Sequence, residues 1–133
     1  MLPFTIQLQK GLPVSDQIVF AVHRALALRQ LKPGDDFPSQ RTIAHELQIN
    51  PNTAQKIITQ LKHEGILVVD PGRGTLINPD LKPQPEAVKQ LLGEDLEAFV
   101  VKAMRLGLTL GALNDAVSAK WKSLSAGTPR AKS

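Results

Sequence analysis

Apolar residues recur with two different periods over the first eighty positions. Residues 4–8, FTIQL, alternate apolar and polar side chains, which is the period of a short, half-buried strand. After the breaks at Gly11 and Pro13, apolar residues return every three or four positions over about residues 14–29, and this spacing predicts a helix. Residues 31–35, LKPGD, predict a turn, because proline presets one backbone angle and glycine permits the other.

Two short helices with a tight junction are predicted next. Ser39 is a favoured N-cap for the first, which ends before Asn50 because proline disfavours a helical conformation at the residue that precedes it. The Asn50-Pro51 pair also suits the start of the second helix, since proline at the first helical position loses no needed hydrogen bond. Gly65 suits its end. The inward face of this second helix is expected to hold Ala54, Ile57, Ile58 and Leu61.

Two strands are predicted at residues 66–70 and 75–78, and the glycine-rich turn between them carries Arg73. The order over residues 1–80 is therefore strand, helix, helix, helix, hairpin. The two short helices form a helix-turn-helix, and the hairpin forms a wing. We expect an α+β fold, mostly α, whose residues 1–80 are a winged helix-turn-helix domain.

The pattern changes after a proline-marked linker at residues 81–85. Apolar residues then keep a spacing of three or four through a long helix, which Gly93 is expected to kink or break. Thr109 is expected to cap a last helix. Residues 81–126 are thus expected to form a two-helix dimerisation element, and residues 127–133 a disordered tail.

Two helices alone cannot bury both of these apolar stripes. They must pack on the winged domain, on a second copy, or on both, and we favour a four-helix arrangement of two copies. Burial inside one subunit is the alternative. The residues expected at the core of the dimer interface are Leu96, Phe99, Val100, Val117 and Trp121.

The composition is typical of an ordinary soluble globular chain. Of the 133 residues, 42% are hydrophobic and 21% are charged. The sequence has no cysteine, which excludes disulfides, thiolate metal sites and cysteine nucleophiles. No apolar run approaches the roughly 20 residues needed to span a membrane, and the first residues lack the layout of a signal peptide, so we expect a cytoplasmic protein.

The net charge of +4 is only a weak indication of an anionic partner. Residues 1–80 carry eight basic and seven acidic residues, whereas residues 81–133 carry eight and five. A nucleic-acid site in the first part therefore requires its basic residues to lie on one face. Residues 50–63 contain Lys56 and Lys62 and no carboxylate, although such a charge run is usually a solvated helix face.

The sequence offers no catalytic or metal-binding set. His23, His45 and His63 lie on predicted helices without HExxH spacing or surrounding carboxylates, so each is better interpreted as a satisfied or solvated histidine. Gly72 and Gly74 lack the lysine and the following helix of a phosphate-binding loop. We therefore expect no enzyme activity, no cofactor and no metal.

The first residues of the second short helix suit DNA. In a helix-turn-helix that helix enters the major groove with its N-terminal residues at the base edges. Amides can contact adenine bidentately, and lysine can bind guanine or a phosphate. Asn50 is interpreted as a cap only. A capping role alone is the alternative for Asn52 and Thr53, and plain solvation is the alternative for Gln55 and Lys56. The candidate contacts are Asn52, Thr53, Gln55 and Lys56.

Residues 31–75 read LKPGDDFPSQRTIAHELQINPNTAQKIITQLKHEGILVVDPGRGT. The combination of PSxR, NPNT, LxxEG and GxGT at these separations resembles the winged helix-turn-helix of GntR-family bacterial transcription regulators, over residues 4–79. The short C-terminal part resembles the YtrA-type subfamily, whose members carry only a small dimerisation element after the DNA-binding domain.

The resemblance implies a role for Arg41 and for the recognition helix. Arg41, in PSQR, matches the family arginine that reaches a phosphate or a guanine, and pairing with Asp36 or Glu46 is the alternative. The four candidates on the second short helix match the family's recognition-helix contacts. Many relatives have arginine at the positions of Pro51 and Gln55, and this chain has neither, so the resemblance does not imply their base specificity.

The resemblance also implies a minor-groove contact by the wing. Arg73 lies between Gly72 and Gly74, whose small size lets the backbone come close to the duplex. A narrow, A·T-rich minor groove attracts such a guanidinium.

Together these features indicate a sequence-specific transcriptional regulator, a homodimeric repressor whose pseudo-palindromic operator has half-sites about one helical turn, roughly 10 bp, apart. Its expected partners are double-stranded DNA and a second copy. The alternative is a winged-helix protein-interaction module without specific DNA binding. Whether an effector exists stays open, and its expected place is the dimer interface or the hinge at Pro83 and Pro85.

Overall fold

The computed structural model describes residues 2–126, and the expected tail at 127–133 lies outside them. The described residues fall into two compact units that divide between Leu81 and Lys82. The first unit contains helices α1 (Val14–Ala27), α2 (Gln40–Leu47) and α3 (Pro51–His63) and strands β1 (Leu67–Asp70) and β2 (Gly74–Ile77). The second contains α4 (Pro85–Gln90), a π-helical turn (Leu91–Asp95), α5 (Leu96–Arg105) and α6 (Leu110–Ala126). The expected fold class, α+β and mostly helical, is confirmed.

The three helices and the hairpin of the first unit share one apolar core. The helical spacing of apolar residues turns one face of each helix inward, and Leu67 pairs with Ile77 across the antiparallel hairpin. Burial stabilises each such aliphatic side chain by roughly 1.5–3 kcal/mol relative to exposure. This core holds α3 and the wing in one body. Its largest fully buried side chains are Ile18, Val22, Ile43, Ile57, Leu61, Leu67 and Ile77.

Residues 4–8 do not form the expected strand, and residues 2–13 contain no β-strand. Phe4 is nevertheless buried, with its ring stacked on Phe37 at 6.1 Å between centroids. The Gln17 side chain holds the backbone of Gln9 by two hydrogen bonds of 2.8 and 3.0 Å. The alternation of apolar and polar residues therefore reflects a half-buried segment that side chains hold in place.

The edge of β2 that does not pair with β1 pairs with residues 35–37, and not with residues 4–8. Asp36 forms a β-bridge with Leu76. The Phe37 N–H donates to the Thr75 carbonyl at 2.9 Å, and the Ile77 N–H donates to the Asp35 carbonyl at 2.8 Å. Residues 35–37 therefore add a short third segment to the hairpin, which the sequence pattern did not indicate.

A kink or break was expected around Gly93, and in the second unit this residue lies in the π-helical turn, a local distortion that does not interrupt the helix. α4, the π-helical turn and α5 follow one another without a gap, so the backbone is widened locally and stays helical. Thr109 caps α6 as expected, because its hydroxyl oxygen accepts the Ala112 N–H at 3.1 Å. The turn before it uses Gly107 with a φ of +83°.

Among the helices of residues 2–126, none combines the length and the apolar character needed to cross a bilayer.

Candidate nucleic-acid interface

Side-chain caps define the junction between α2 and α3. The Ser39 hydroxyl oxygen accepts the Thr42 N–H at 3.2 Å. The Asn50 side-chain oxygen accepts the Asn52 N–H at 2.7 Å, and Pro51 is the first residue of α3. Each bond satisfies a donor that a helix start leaves without an intrahelical partner. The expected caps at Ser39 and Asn50 are confirmed.

Gln48 reverses the chain between the two helices in a left-handed conformation, with φ 53° and ψ 50°. This region favours glycine, because a Cβ crowds the backbone there. The end of α2 is closed by the Gln48 N–H on the His45 carbonyl at 3.3 Å and by the Ile49 N–H on the Ala44 carbonyl at 3.1 Å. Only residues 48–50 separate α2 from α3.

Gln40 links the starts of the two helices. Its side-chain Nε2 donates to the backbone oxygen of Pro51 at 3.0 Å. This bond joins the first turn of α2 to the first residue of α3, the part of the helix that is expected to meet DNA. Gln40 was not among the expected site residues, since a sequence pattern does not show which distant carbonyl an amide reaches.

The outer face of α3 presents most of the expected recognition residues. Asn52, Gln55 and Lys56 are exposed, whereas Thr53 is half-buried. Thr59 and His63 continue the exposed row at helical spacing. These polar and basic side chains therefore share one surface. An open groove of about 600 Å³ follows this face and is lined by Asn52, Gln55, Lys56, Thr59, Gln60 and His63.

Arg41 is exposed on α2 and lines a second open cleft, of about 1150 Å³. Pro51 at the start of α3 and His45 and Glu46 of α2 lie in the same lining. The structure therefore places Arg41 beside the start of the candidate recognition helix.

The wing turn is built by local hydrogen bonds around Asp70. Its carboxylate accepts the Gly72 N–H at 2.8 Å, and its carbonyl accepts the Arg73 N–H at 3.0 Å. Gly74 has a φ of +98°, a conformation that strains any residue with a side chain. Gly72, Arg73 and Gly74 are all exposed, as a contact surface requires.

The Arg73 side chain is engaged within the domain. Its Nη2 donates to the Asp36 carboxylate at 2.9 Å and to the Gly34 carbonyl at 3.3 Å. The two charged side chains are 54% and 77% exposed, respectively, so solvent screens the pair. Asp36, one of the acidic residues considered as a partner for Arg41, pairs instead with Arg73 in this structure.

One histidine of the first unit has a structural partner on another element. His23 Nε2 lies 2.8 Å from a Glu64 carboxylate oxygen, which joins α1 to the end of α3. This agrees with its interpretation as a satisfied histidine. Within residues 2–126, no cluster of three or more histidine or carboxylate side chains is placed to hold a metal ion.

The second unit presents a large apolar surface. Leu96 is 44% exposed, Phe99 49%, Val117 50% and Trp121 72%. Val100 is half-buried. These are the five residues expected at a dimer interface, and four of them are exposed in the described chain.

Residues 14–77 match the family model described as bacterial regulatory proteins, gntR family. Two relatives come from Bacillus subtilis strain 168. YhcF, an uncharacterized HTH-type transcriptional regulator, is 35% identical over 77% of this chain and 85% of its own length. YtrA, an HTH-type transcriptional repressor, is 32% identical over 77% of this chain and 80% of its own length.

A solved structure described as a transcriptional antiterminator from Listeria monocytogenes EGD-e shares the fold. It superposes with a TM-score of 0.79 over 91% of each chain, at 23% identity.

Proposed function

The chain belongs to the GntR family of bacterial regulatory proteins, and from this membership we propose that it acts as a homodimeric repressor on a pseudo-palindromic operator. It is a sequence-specific, DNA-binding transcriptional regulator, as expected, and the family does not support the alternative of a protein-interaction module. The family and these relatives are transcriptional regulators and not enzymes. The role of a repressor follows the name of the relative YtrA. Because its target is chromosomal DNA, we place it in the cytoplasm.

The observation that carries the proposal is the capped start of α3, which leaves its outer side chains exposed. Asn50 and Pro51 form the helix end, and the Gln40 side chain holds that end against α2. In the proposed complex this end enters the major groove, with the Gln55 amide on adenine N6 and N7. Lys56 binds guanine acceptors or a phosphate. Asn52 and Thr53 lie in the first turn, where backbone N–H groups and the helix dipole also favour phosphate.

Two arginines flank this helix in the proposed complex. Arg41 binds a phosphate or a guanine from α2, and Arg73 enters the minor groove from the wing between Gly72 and Gly74. The exposure of both arginines supports these roles. The cationic contacts release counterions from DNA, so the affinity must fall steeply with salt.

The proposed dimer uses the C-terminal unit. Apolar side chains as large as Phe99 and Trp121 are 49% and 72% exposed in one chain. Exposed apolar surface, where it forms a large patch, marks an association site. Pairing α5 and α6 with those of a second copy buries these side chains in a four-helix arrangement. A two-fold axis then presents two copies of α3 to two half-sites.

The proposal is tested on the DNA upstream of the protein's own gene. A footprint there is expected to show a protected pseudo-palindrome with half-sites about one helical turn apart. A duplex of the same composition in scrambled order is the control, and light scattering on the same sample is expected to report a dimer. Equal affinity for both duplexes would refute sequence-specific binding by this domain. A monomer at micromolar concentration would refute the dimer.

A further inference from the structure

The strongest unexplained feature is the partner of Arg73. A guanidinium that inserts into a minor groove must extend from the wing, yet here it turns back to the neighbouring edge. Its Nη2 lies 2.9 Å from Asp36 Oδ1 and 3.3 Å from the Gly34 oxygen. The partners are 37 and 39 residues away in sequence, so the contact is tertiary and is not imposed by the wing turn itself.

Asp36 is held in position by the backbone. Its β-bridge to Leu76 fixes it beside β2, and the flanking bonds from Phe37 to Thr75 and from Ile77 to Asp35 fix the segment on both sides. A carboxylate so placed presents a steady negative charge to the tip of the wing. The side-chain contact can break while the backbone from Gly34 to Leu76 stays folded. DNA can therefore displace the pair without remodelling the domain.

From this geometry we infer that Asp36 is an intramolecular competitor for Arg73 that lowers the affinity of the wing for DNA. The inference rests on the proposed minor-groove role of Arg73. In the free protein the guanidinium is neutralised by Asp36. Because this contact must break before Arg73 reaches DNA, its loss offsets part of the attraction between Arg73 and DNA. The exposed pair is weak and screened by salt, so it limits binding without preventing it.

The competition also makes the contact by Arg73 conditional. A narrow A·T-rich groove, with its enhanced negative potential, is able to take the guanidinium from Asp36. A wider groove attracts it less, and there Arg73 stays on Asp36. Asp36 therefore sets how strong the groove potential must be before the wing engages.

A double-mutant cycle on DNA affinity tests the inference. Asp36→Asn keeps the size of the side chain and removes its charge, and we expect it to raise affinity for the operator about two- to fivefold at low salt. In the Arg73→Ala background, Asp36→Asn is expected to raise operator affinity only by the smaller amount that removing a remote negative charge gives. Asp80→Asn measures that gain, because Asp80 is an exposed carboxylate of the same unit beyond the wing.

The outcomes separate the possible explanations. Equal gains from Asp36→Asn with and without Arg73 would overturn the inference, since the effect would be general repulsion of phosphate. A loss of affinity in Asp36→Asn would also overturn it, because Asp36 would then orient Arg73 for DNA. If the wild-type protein does not prefer its operator to scrambled DNA, the proposed function fails. That result is distinguishable from a failure of the inference about Asp36, which the mutant cycle measures.

A measurement without DNA tests the contact itself. In nitrogen-15 spectra of the arginine side chains, the Arg73 guanidinium signals are expected to shift in Asp36→Asn and to stay unchanged in Asp80→Asn. Identical Arg73 signals in all three proteins would show that the pair does not form, and would overturn the inference independently of any binding assay.

Discussion

Gln55 and Lys56 are neighbours on the outer face of α3, but in the proposed complex their side chains act on DNA in different ways. An amide matches the donor and acceptor pair of adenine and so reads one base. An ammonium is a point charge that binds phosphate or guanine acceptors with less demand on geometry. Because both side chains are exposed on the same helix, α3, comparing the effects of removing each one separates base reading from phosphate binding.

We expect Gln55→Ala to cost about 1–3 kcal/mol at one base pair of each half-site and to relax the preference there for A·T. Lys56→Ala is expected to weaken binding to all sequences and to lower the salt slope by about 1. Fluorescence anisotropy on operators with single base-pair changes, at several salt concentrations, measures both effects. Gln30→Ala, an exposed amide outside α3, is the control. A uniform loss over all operators in Gln55→Ala would contradict base reading by this amide.

At the scale of elements, the parts that were predictable are those set by local chemistry. The caps at Ser39, Asn50 and Thr109 follow from residue type, because a side-chain oxygen reaches a donor two or three positions along the chain. The strand expected at residues 4–8 was wrong, because alternation reports half-burial and cannot supply a pairing partner.

The rest of the candidate site depends on contacts between distant residues. The amide of Gln40 reaches Pro51, and the guanidinium of Arg73 reaches Asp36, 37 residues away. No period or motif in the sequence states which of several polar groups a long side chain finds after folding. The sequence therefore indicates which residue types are candidates for the interface, but not the contacts that position them.

The junction between α2 and α3 contains a strained residue that can be relieved. Replacing Gln48 by glycine removes the Cβ from a left-handed position, and we expect the free energy of unfolding to rise by about 1 kcal/mol. Ala27→Gly, at the exposed last residue of α1, is expected to lower it by about 0.5–1 kcal/mol. Urea denaturation compares the three proteins. A lower free energy of unfolding in Gln48→Gly would show that the Gln48 side chain stabilises the fold by more than its left-handed backbone conformation destabilises it.

The bond from Gln40 to Pro51 is expected to position α3. Gln40→Met keeps a similar length and removes the donor, so stability should fall by only about 0.5–1.5 kcal/mol. The ratio of operator to scrambled-DNA affinity is expected to fall severalfold, because α3 is then less firmly oriented. Anisotropy titrations with both duplexes give this ratio, and Gln30→Met serves as the control. An unchanged ratio would leave Gln40 with a purely structural role.

The whole molecule combines a winged helix-turn-helix unit with a C-terminal helical unit, for which we propose a role in dimerisation. The first has its own buried core, and the second exposes large apolar side chains. If the proposed dimer binds two half-sites, the second contact gains affinity through effective concentration, so we expect dimerisation and operator binding to be linked.

Placing a charge in the apolar surface tests that link. Phe99→Asp is expected to give a monomer by light scattering and to lower operator affinity by about 10²–10⁴-fold. Leu12→Asp, at an exposed leucine of the first unit, is expected to leave the dimer intact. A dimeric Phe99→Asp protein would place the interface elsewhere.

One affinity comparison asks whether α2 and α3 form the DNA-binding surface. The measurement is the operator affinity of the wild-type protein, Arg41→Ala and Arg24→Ala at a single low salt concentration. Arg24 is an exposed arginine of α1, so its variant removes the same charge from another helix. We expect Arg41→Ala to bind about tenfold or more weakly, as loss of one charge-assisted contact implies, and Arg24→Ala to show only the small loss that a remote charge gives. Equal affinities for all three proteins would show that Arg41 does not contribute to DNA binding and would refute the proposed surface of α2 and α3.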